Sequence, residues 1–170
     1  MKMLSLLLTS ATLLCGALSM RAIAALAPPD EAFIKVAAQH AMTEIRLGEV
    51  AKTKAARLEV KELGEMLASD HSKANEALRK LAEAKGVTIP DNLTAEYQDS
   101  VDRFNQLSGR EFDKAFMDEM VAGHEKSVAA FEAALKAAQD SELKAFLEKT
   151  LPTLREHLKR CQVLQKGITE

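Results

Sequence analysis

Four ionisable side chains occupy comparable positions in four segments with an apolar repeat: Glu44, His71, His124 and His157. In each segment the apolar residues recur every three or four positions, which is typical of a helix that turns one face to a bundle core. One carboxylate and three imidazoles form a ligand set that suits zinc, copper or a mononuclear iron ion. The sequence therefore predicts a transition-metal site in a helical bundle, and we call these four residues the polar layer.

The polar layer also has an interpretation without an ion. Glu44 would accept a hydrogen bond from His71 or His157, and the buried network would fix the register of the helices. The protein would then be a non-catalytic structural or partner-binding bundle. Both hypotheses place the same residues in the core, so the sequence alone does not separate them.

Further residues extend the predicted site. Asp70 precedes His71 and is predicted to orient one of the ligands. His40, Met120 and Cys161 lie one helical turn from the polar layer, and in a bundle whose helices alternate in direction they would form a second layer. Imidazole, thioether and thiol suit copper, although Met and Cys are also common core residues.

Enzymatic chemistry is only weakly indicated. Di-iron ferritin sites use two Glu-x-x-His pairs, and no Glu of this chain is followed by His three residues later. Cys161 lies one turn from His157, but no glycine-rich elbow or helix start accompanies it to activate a thiolate. Whether the protein is an enzyme therefore stays undecided, with the balance against it.

Four long helices and one short helix are predicted to position these residues. Gly86 is expected to end the second helix, and Glu111 is expected to complete a capping box at the start of the third. A short amphipathic segment, residues 94–107, lies between the second and third long helices. The predicted helix starts, in chain order, are Asp30, Arg57, Ser108 and Asp140.

The spacing of the polar layer predicts which of its members face each other. Glu44 and His71 are nearly equidistant from the turn at Arg57, so they should meet across an antiparallel hairpin. The other two histidines are nearly equidistant from the turn at Asp140. All four side chains are therefore expected at a similar height in the bundle.

Length and composition favour one helical domain. The chain has 170 residues, of which 47% are hydrophobic and 28% are charged, enough for one sizeable core. Aromatic residues make up 4% and Trp is absent, so the composition favours helices over a β-sandwich. The predicted fold is an all-α, antiparallel four-helix bundle over residues 25–170, with a short extra helix in its central connection.

The segment before this domain, residues 1–24, is predicted to be a signal peptide. Lys2 precedes an apolar run over residues 4–18, and Ala22-Ile23-Ala24 fits a small-x-small cleavage site before Ala25. An uncleaved membrane anchor is the alternative, although the run is barely long enough to cross a bilayer. The prediction is a periplasmic protein without a stable membrane span after cleavage.

Charge and cysteine content limit the partners of the exported chain. Removing residues 1–24 takes away Lys2 and Arg21 but no acid, which changes the formal net charge from −2 to −4. Nucleic acid is not expected as a partner, because no basic face could neutralise its phosphates. Cys161 is then the one remaining cysteine, so no intramolecular disulfide can form. Formation of a homo-oligomer is left open by the sequence.

The order of several short motifs resembles the family of exported bacterial proteins described as domain of unknown function 4142, over about residues 30–165. The matching residues are Asp30, Phe33, Glu44, Leu47, Asp70, His71, Leu78, Gly109, Phe112, Asp113, Met120, Val121, His124, Leu151, Pro152 and His157. The resemblance implies export and a ferritin-like four-helix fold, and it implies no reaction. It places the polar layer in the polar pattern of the family, whereas His40 and Cys161 lie outside that pattern.

Overall fold

The computed structural model describes residues 26–169, and this part of the chain contains helices and no strand. No helix among these residues is both long and apolar enough to cross a membrane. The predicted all-α four-helix bundle with a short extra helix is confirmed, whereas the predicted signal peptide lies outside the described residues. The helices, in chain order, are α1 (Pro28–Lys54), α2 (Leu58–Ala84), α3 (Ala95–Asn105), α4 (Gly109–Ala137) and α5 (Ser141–Thr169).

Contacts between helix ends give the direction of each helix. At one end of the bundle, which we call the lower end, Lys85 after α2 forms an ion pair with Asp140 before α5 at 2.7 Å. At the upper end, the carboxylate of Asp113 in α4 accepts hydrogen bonds from the backbone N–H groups of Ala56 (2.9 Å) and Arg57 (3.1 Å), between α1 and α2. Helices α1 and α5 therefore run upward and α2 and α4 run downward. The connection that carries α3 crosses the length of the bundle, as in folds of the ferritin type.

A buried amide fixes the lower part of this long connection. The side chain of Gln39 in α1 donates a hydrogen bond to the carbonyl of Asn92 (3.2 Å) and accepts one from the N–H of Thr94 (2.9 Å). Further along, the ring of Phe104 in α3 lies edge-on to the ring of Phe112 in α4, with the centroids 6.0 Å apart. Helix α3 is thereby held against α1 and α4.

Two predicted helix boundaries are confirmed by their capping interactions. Asp140 precedes α5, and its Oδ1 accepts hydrogen bonds from the N–H groups of Glu142 (3.0 Å) and Leu143 (2.9 Å). Gly86 follows the end of α2 with φ 72°, a conformation that favours glycine. The N–H of Val87 then donates to the carbonyl of Ala82 at 2.8 Å, which completes a Schellman ending.

Two other predicted starts are wrong in detail. Asp30 is not the N-cap of α1, since the helix begins at Pro28 and Ala27 precedes it without a side-chain cap. Pro suits the first helical position because its missing N–H would have no partner there. Ser108 does precede α4, but its side chain makes no capping hydrogen bond, so the capping box is not formed. The chain passes into α4 through Gly109 at φ 64°, which differs from the direct extended-to-helical transition of a capping box.

The hydrophobic core consists of two clusters with the polar layer between them. The upper cluster includes Leu47, Leu67, Phe116, Met117, Met120 and Cys161. The lower cluster includes Ile34, Leu78, Phe131, Leu143, Leu147 and Leu154. Burial of these apolar side chains is the main favourable contribution to folding, and it comes from both sides of the layer.

Helices α1 and α2 approach each other closely just above the polar layer. Gly48 and Gly64 lie at this crossing, and a Cβ atom on Gly48 would be only 2.4 Å from the carbonyl oxygen of Gly64. A Cβ on Gly64 would be 2.7 Å from the Cβ of Ala51. The absence of side chains at these two positions therefore allows the helix backbones to touch, one turn from Glu44.

We expect Gly48→Ala to destabilise the protein by about 2 kcal/mol, because the new methyl group would overlap backbone atoms that cannot rotate away. Gly167→Ala in α5 is the matched control, since a Cβ there would meet no atom within 4 Å. Alanine in an exposed helical position should raise stability by about 0.5 kcal/mol. Urea unfolding of both variants measures the difference, and equal changes in the two would contradict the close crossing.

Candidate metal centre

The four members of the polar layer meet in the centre of the bundle. Each of the four long helices contributes one of them, and all are buried, with Glu44 5% exposed and His124 0%. The ring centroids of the three histidines form a nearly regular triangle with sides of 5.3, 5.4 and 5.5 Å. One ring nitrogen from each of His71, His124 and His157 lies within 4.8 Å of the other two.

Glu44 lies against two of these imidazoles. Its Oε2 atom is 2.5 Å from Nε2 of His71 and 3.4 Å from Nε2 of His124. The two nitrogens are themselves 3.4 Å apart. No N–H group points at Oε2 with the geometry of a hydrogen bond, although the atom is fully buried. One carboxylate oxygen and two ring nitrogens therefore converge on the same small volume.

The outward-facing atoms of two histidines have partners that determine where their protons lie. Nδ1 of His124 is 2.9 Å from the carbonyl oxygen of Met120, which can only accept, so Nδ1 carries the hydrogen and the lone pair of Nε2 faces the layer. Nε2 of His157 is 3.2 Å from Oδ2 of Asp70, so this nitrogen carries the hydrogen. Its Nδ1 atom is buried and has no partner, which leaves a second lone pair available.

Asp70 thus contacts a different histidine from the one beside it in the sequence. It lies on α2 at the edge of the core, where its side chain is 31% exposed, and it reaches His157 of α5 rather than His71. Lys73 holds the other carboxylate oxygen at 2.9 Å, and this hydrogen bond is the main reason that the pKa of Asp70 is lowered. The carboxylate is therefore available to orient the ring of His157, as such groups do for metal-binding imidazoles.

The electrostatics of the layer favour an ion pair beside a neutral imidazole. Burial opposes the charge on Glu44, but the neighbouring imidazoles, His71 above all, outweigh it and lower the pKa of Glu44 to about 2. Burial also opposes a charge on His71, yet the neighbouring Glu44 carboxylate raises the pKa of His71 above its usual value. Burial, followed by the charge of His71, lowers the pKa of His157 to about 4. His157 is therefore neutral at pH 7 and able to donate a lone pair.

The predicted second layer is not formed. Since α1 runs upward and α4 runs downward, the residue one turn before Glu44 lies below the polar layer and the residue one turn before His124 lies above it. Met120 and Cys161 accordingly belong to the upper cluster, where burial raises the pKa of the Cys161 thiol to about 12. His40 lies on the other side, with its ring 5.2 Å from the ring of Tyr97.

The position of His40 also reflects the phase of α1. A strict seven-residue repeat drawn back from Leu47 puts His40 on the inner face, but a straight helix drifts from such a repeat by about 20° per heptad. The structure buries Ile34, Ala38 and Ala41 instead, and leaves His40 half-buried. Among the described residues, the triad of His71, His124 and His157 is the one group of three or more His, Cys, Asp or Glu side chains that could share an ion.

The sequence analysis did not identify Asn75, which lies on α2 one turn below His71. Its Oδ1 atom is buried and has no hydrogen-bond partner, as is true of Glu44 Oε2 and His157 Nδ1. All three residues line one cavity of about 160 Å³ below the polar layer. The available signal was the spacing of four residues from His71, which puts Asn75 on the same face of the helix.

Residues 15–164 match the family described as "Domain of unknown function (DUF4142)", so the chain belongs to this family. The match covers all five helices except the last residues of α5. A comparison with curated proteins finds no match.

The chain is also similar to solved helical structures. A DUF305 fragment from Deinococcus radiodurans aligns over 85% of this chain and 99% of its own, with 14% identity and a TM-score of 0.74. CopM in its Cu(I)-bound form aligns over 81% of this chain and 96% of its own, with 16% identity and a TM-score of 0.68. The Ag-bound form of CopM gives the same coverage and identity with a TM-score of 0.66. At these identities the likeness shows the fold alone.

We expect Glu44→Gln to lower the stability of the metal-free protein by about 2 kcal/mol, because the buried His71 loses its charged partner. Glu125→Gln makes the same change at an exposed position of α4 next to His124 and should alter stability by less than about 0.5 kcal/mol. Chemical unfolding in the presence of a chelator measures both. A loss at Glu44 no larger than at Glu125 would show that the buried pair contributes nothing.

Proposed function

We propose that this protein binds one transition-metal ion through His71, His124 and His157, and that Glu44 moves toward the ion to become its fourth ligand, because Glu44 is not in the group whose donor atoms all lie within 4.8 Å of one another. The observation that carries the proposal is the convergence of three buried imidazoles whose ring nitrogens lie within 4.8 Å of one another. Glu44 Oε2 and His157 Nδ1 are buried without hydrogen-bond partners, and buried polar atoms normally have one. A cation coordinated by His157 would give its Nδ1 atom a partner, whereas Glu44 Oε2 already lies 2.5 Å from Nε2 of His71.

Copper and zinc fit this donor set best. Imidazole nitrogens bind both metals, and a single carboxylate with three imidazoles gives the four ligands that zinc prefers. The structures of CopM with Cu(I), Ag and Cu(II) support copper, since CopM has a similar bundle. Iron, the third metal that the ligand set allows, has no such support. The thiol of Cys161 and the thioether of Met120 lie outside the proposed ligand set.

The position of the site favours metal handling over catalysis. Four protein donors would fill a tetrahedral coordination sphere, and catalytic zinc sites instead keep one position for water or substrate. The site is also buried, so exchange of the ion requires movement of at least one helix or side chain. We propose that the protein stores, buffers or transfers the metal in the cell envelope, in a role of metal handling or stress protection.

A register-setting polar layer is the second candidate function, and the Glu44–His71 contact of 2.5 Å favours it. A buried carboxylate beside an imidazole whose pKa is raised is what a structural ion pair requires. In this case the bundle would act as a structural or partner-binding module, and an ion would add no stability.

Metal titration of two histidine variants separates the two candidates. We expect the untagged, metal-free protein to bind one Cu(I) or Zn(II) ion per chain, and an ion at 100 times its Kd should add about 2.7 kcal/mol of stability. His124→Leu should weaken binding by at least about 100-fold, because it removes a ligand. His40→Leu is the matched control, since His40 lies outside the triad, and it should leave the affinity within about twofold.

The readouts are metal content, calorimetric affinity and melting temperature with and without a chelator. Equal losses of affinity in the two variants would place the ion elsewhere. If copper, zinc and iron all fail to raise the melting temperature, the polar layer is structural and the metal proposal is wrong.

The proposed location in the envelope has its own test. We expect cells that express the full chain to release a mature protein that begins at Ala25, because the small residues before it fit signal-peptidase cleavage. Intact mass of the periplasmic fraction measures this directly. A full-length chain that stays with the inner membrane would contradict export as a cleaved protein.

A further inference from the structure

A cavity of about 160 Å³ lies between the four long helices, directly below the polar layer. Its upper boundary is formed by Glu44, His71 and His157, and its walls are largely apolar. Four residues of the lining are exposed: Val36 on α1, Lys126 and Ala130 on α4, and Thr153 on α5. The cavity is therefore open to solvent, and its exposed lining lies on α1, α4 and α5. The apolar side chains of the wall include Phe33, Ala37, Ala41, Leu78, Phe131 and Leu154.

Asn75 is the polar group of this cavity that the proposed metal site leaves unexplained. The residue lies four positions after His71, and because α2 runs downward its side chain is one turn deeper in the cavity. Its Oδ1 atom is buried and receives no hydrogen bond. Glu44 and His157 also have unpartnered atoms in the lining, but a metal ion would account for those. A hydrogen-bond donor inside the cavity would account for Asn75.

The size and chemistry of the cavity define what it could hold. An engineered protein cavity of about 150 Å³ with apolar walls binds benzene, so there is room here for one six-membered ring. The walls are largely apolar, which disfavours a charged ligand, and an anion would also lie close to the Glu44 carboxylate. The lining does include the cationic side chain of Lys126, but this residue is exposed and not enclosed with the apolar side chains. One donor group would pair with Asn75, and the rest of the molecule would contact carbon atoms.

We propose that this cavity binds a small, uncharged, mainly apolar molecule with one hydrogen-bond donor, of the size of a phenol. The inference goes beyond the metal site and does not depend on it, because Asn75 and the apolar walls are not part of the proposed ligand set. His124, the metal ligand chosen for substitution above, does not line the cavity.

Three probe molecules test the proposal on the metal-free full chain: phenol, benzene and benzoate. Phenol should bind with one molecule per chain and about fivefold more tightly than benzene, the contribution of one neutral hydrogen bond. Benzoate, which has the same ring but carries a charge, should show no saturable binding. Calorimetry gives the affinities, and the melting temperature should rise with phenol concentration by mass action.

Substitutions locate the bound probe. Asn75→Leu keeps a similar side-chain volume but removes the hydrogen-bond acceptor. In this variant phenol should bind only as tightly as benzene, and the affinity for benzene should be unchanged. Asn105→Leu, the same change at an exposed position of α3, should have no effect. His124→Leu should leave phenol binding within about twofold, so that a failed metal site and a failed cavity site give different results.

Equal affinities of phenol and benzene for the unmodified protein would overturn the role of Asn75. Absence of saturable binding by both would mean that the cavity holds water only. Both outcomes are read from the unmodified chain, so they decide the proposal even if Asn75→Leu does not fold.

Discussion

The structure depends above all on the burial of one carboxylate. Glu44 is almost fully removed from solvent, and a charge in such a position is costly unless opposite charges or donors lie around it. His71 supplies the opposite charge, and it comes from a different helix. A slide of one helix by a single turn would move its imidazole by about 5.4 Å and leave the carboxylate without it. A slide of one turn would therefore leave a buried charge uncompensated, a penalty that the apolar clusters above and below the polar layer do not impose.

Helices α1 and α2 pack more closely against each other than the two helical hairpins pack against one another. Gly48 and Gly64 let the backbones of α1 and α2 touch, which brings Glu44 and His71 to an ion-pair distance one turn away. Between the hairpins no comparable small-residue crossing exists among the described glycines, and the cavity lies there. The close crossing of α1 and α2 is thus a consequence of where these two glycines lie.

Local patterns in the sequence were sufficient to predict the helices and to identify the members of the polar layer. The apolar repeat predicted five helices. Because antiparallel hairpins have little freedom in register, the similar distances of the four polar residues from the turns predicted that they lie at one height. The direction of the long connection was not available from such patterns, since it depends on contacts like Asp113 with the α1–α2 turn. This direction separated His40 from Met120 and Cys161. The drift of a straight helix from a seven-residue repeat displaced His40 further, and local periodicity over a few turns cannot reveal it.

The sequence also could not predict which ring nitrogen of each histidine faces the polar layer. This orientation matters for both functions considered for the layer, metal binding and the setting of helix register. His124 and His157 have their outer nitrogens occupied by Met120 and Asp70, so both can present a lone pair without losing a contact. His71 differs, because its Nε2 already faces Glu44 and the ion pair requires a proton there. A metal ion would have to replace that proton, since a protonated nitrogen cannot act as a ligand. Ion binding must therefore replace the Glu44–His71 ion pair of the metal-free bundle. The stronger this pair is, the lower the affinity for the ion will be.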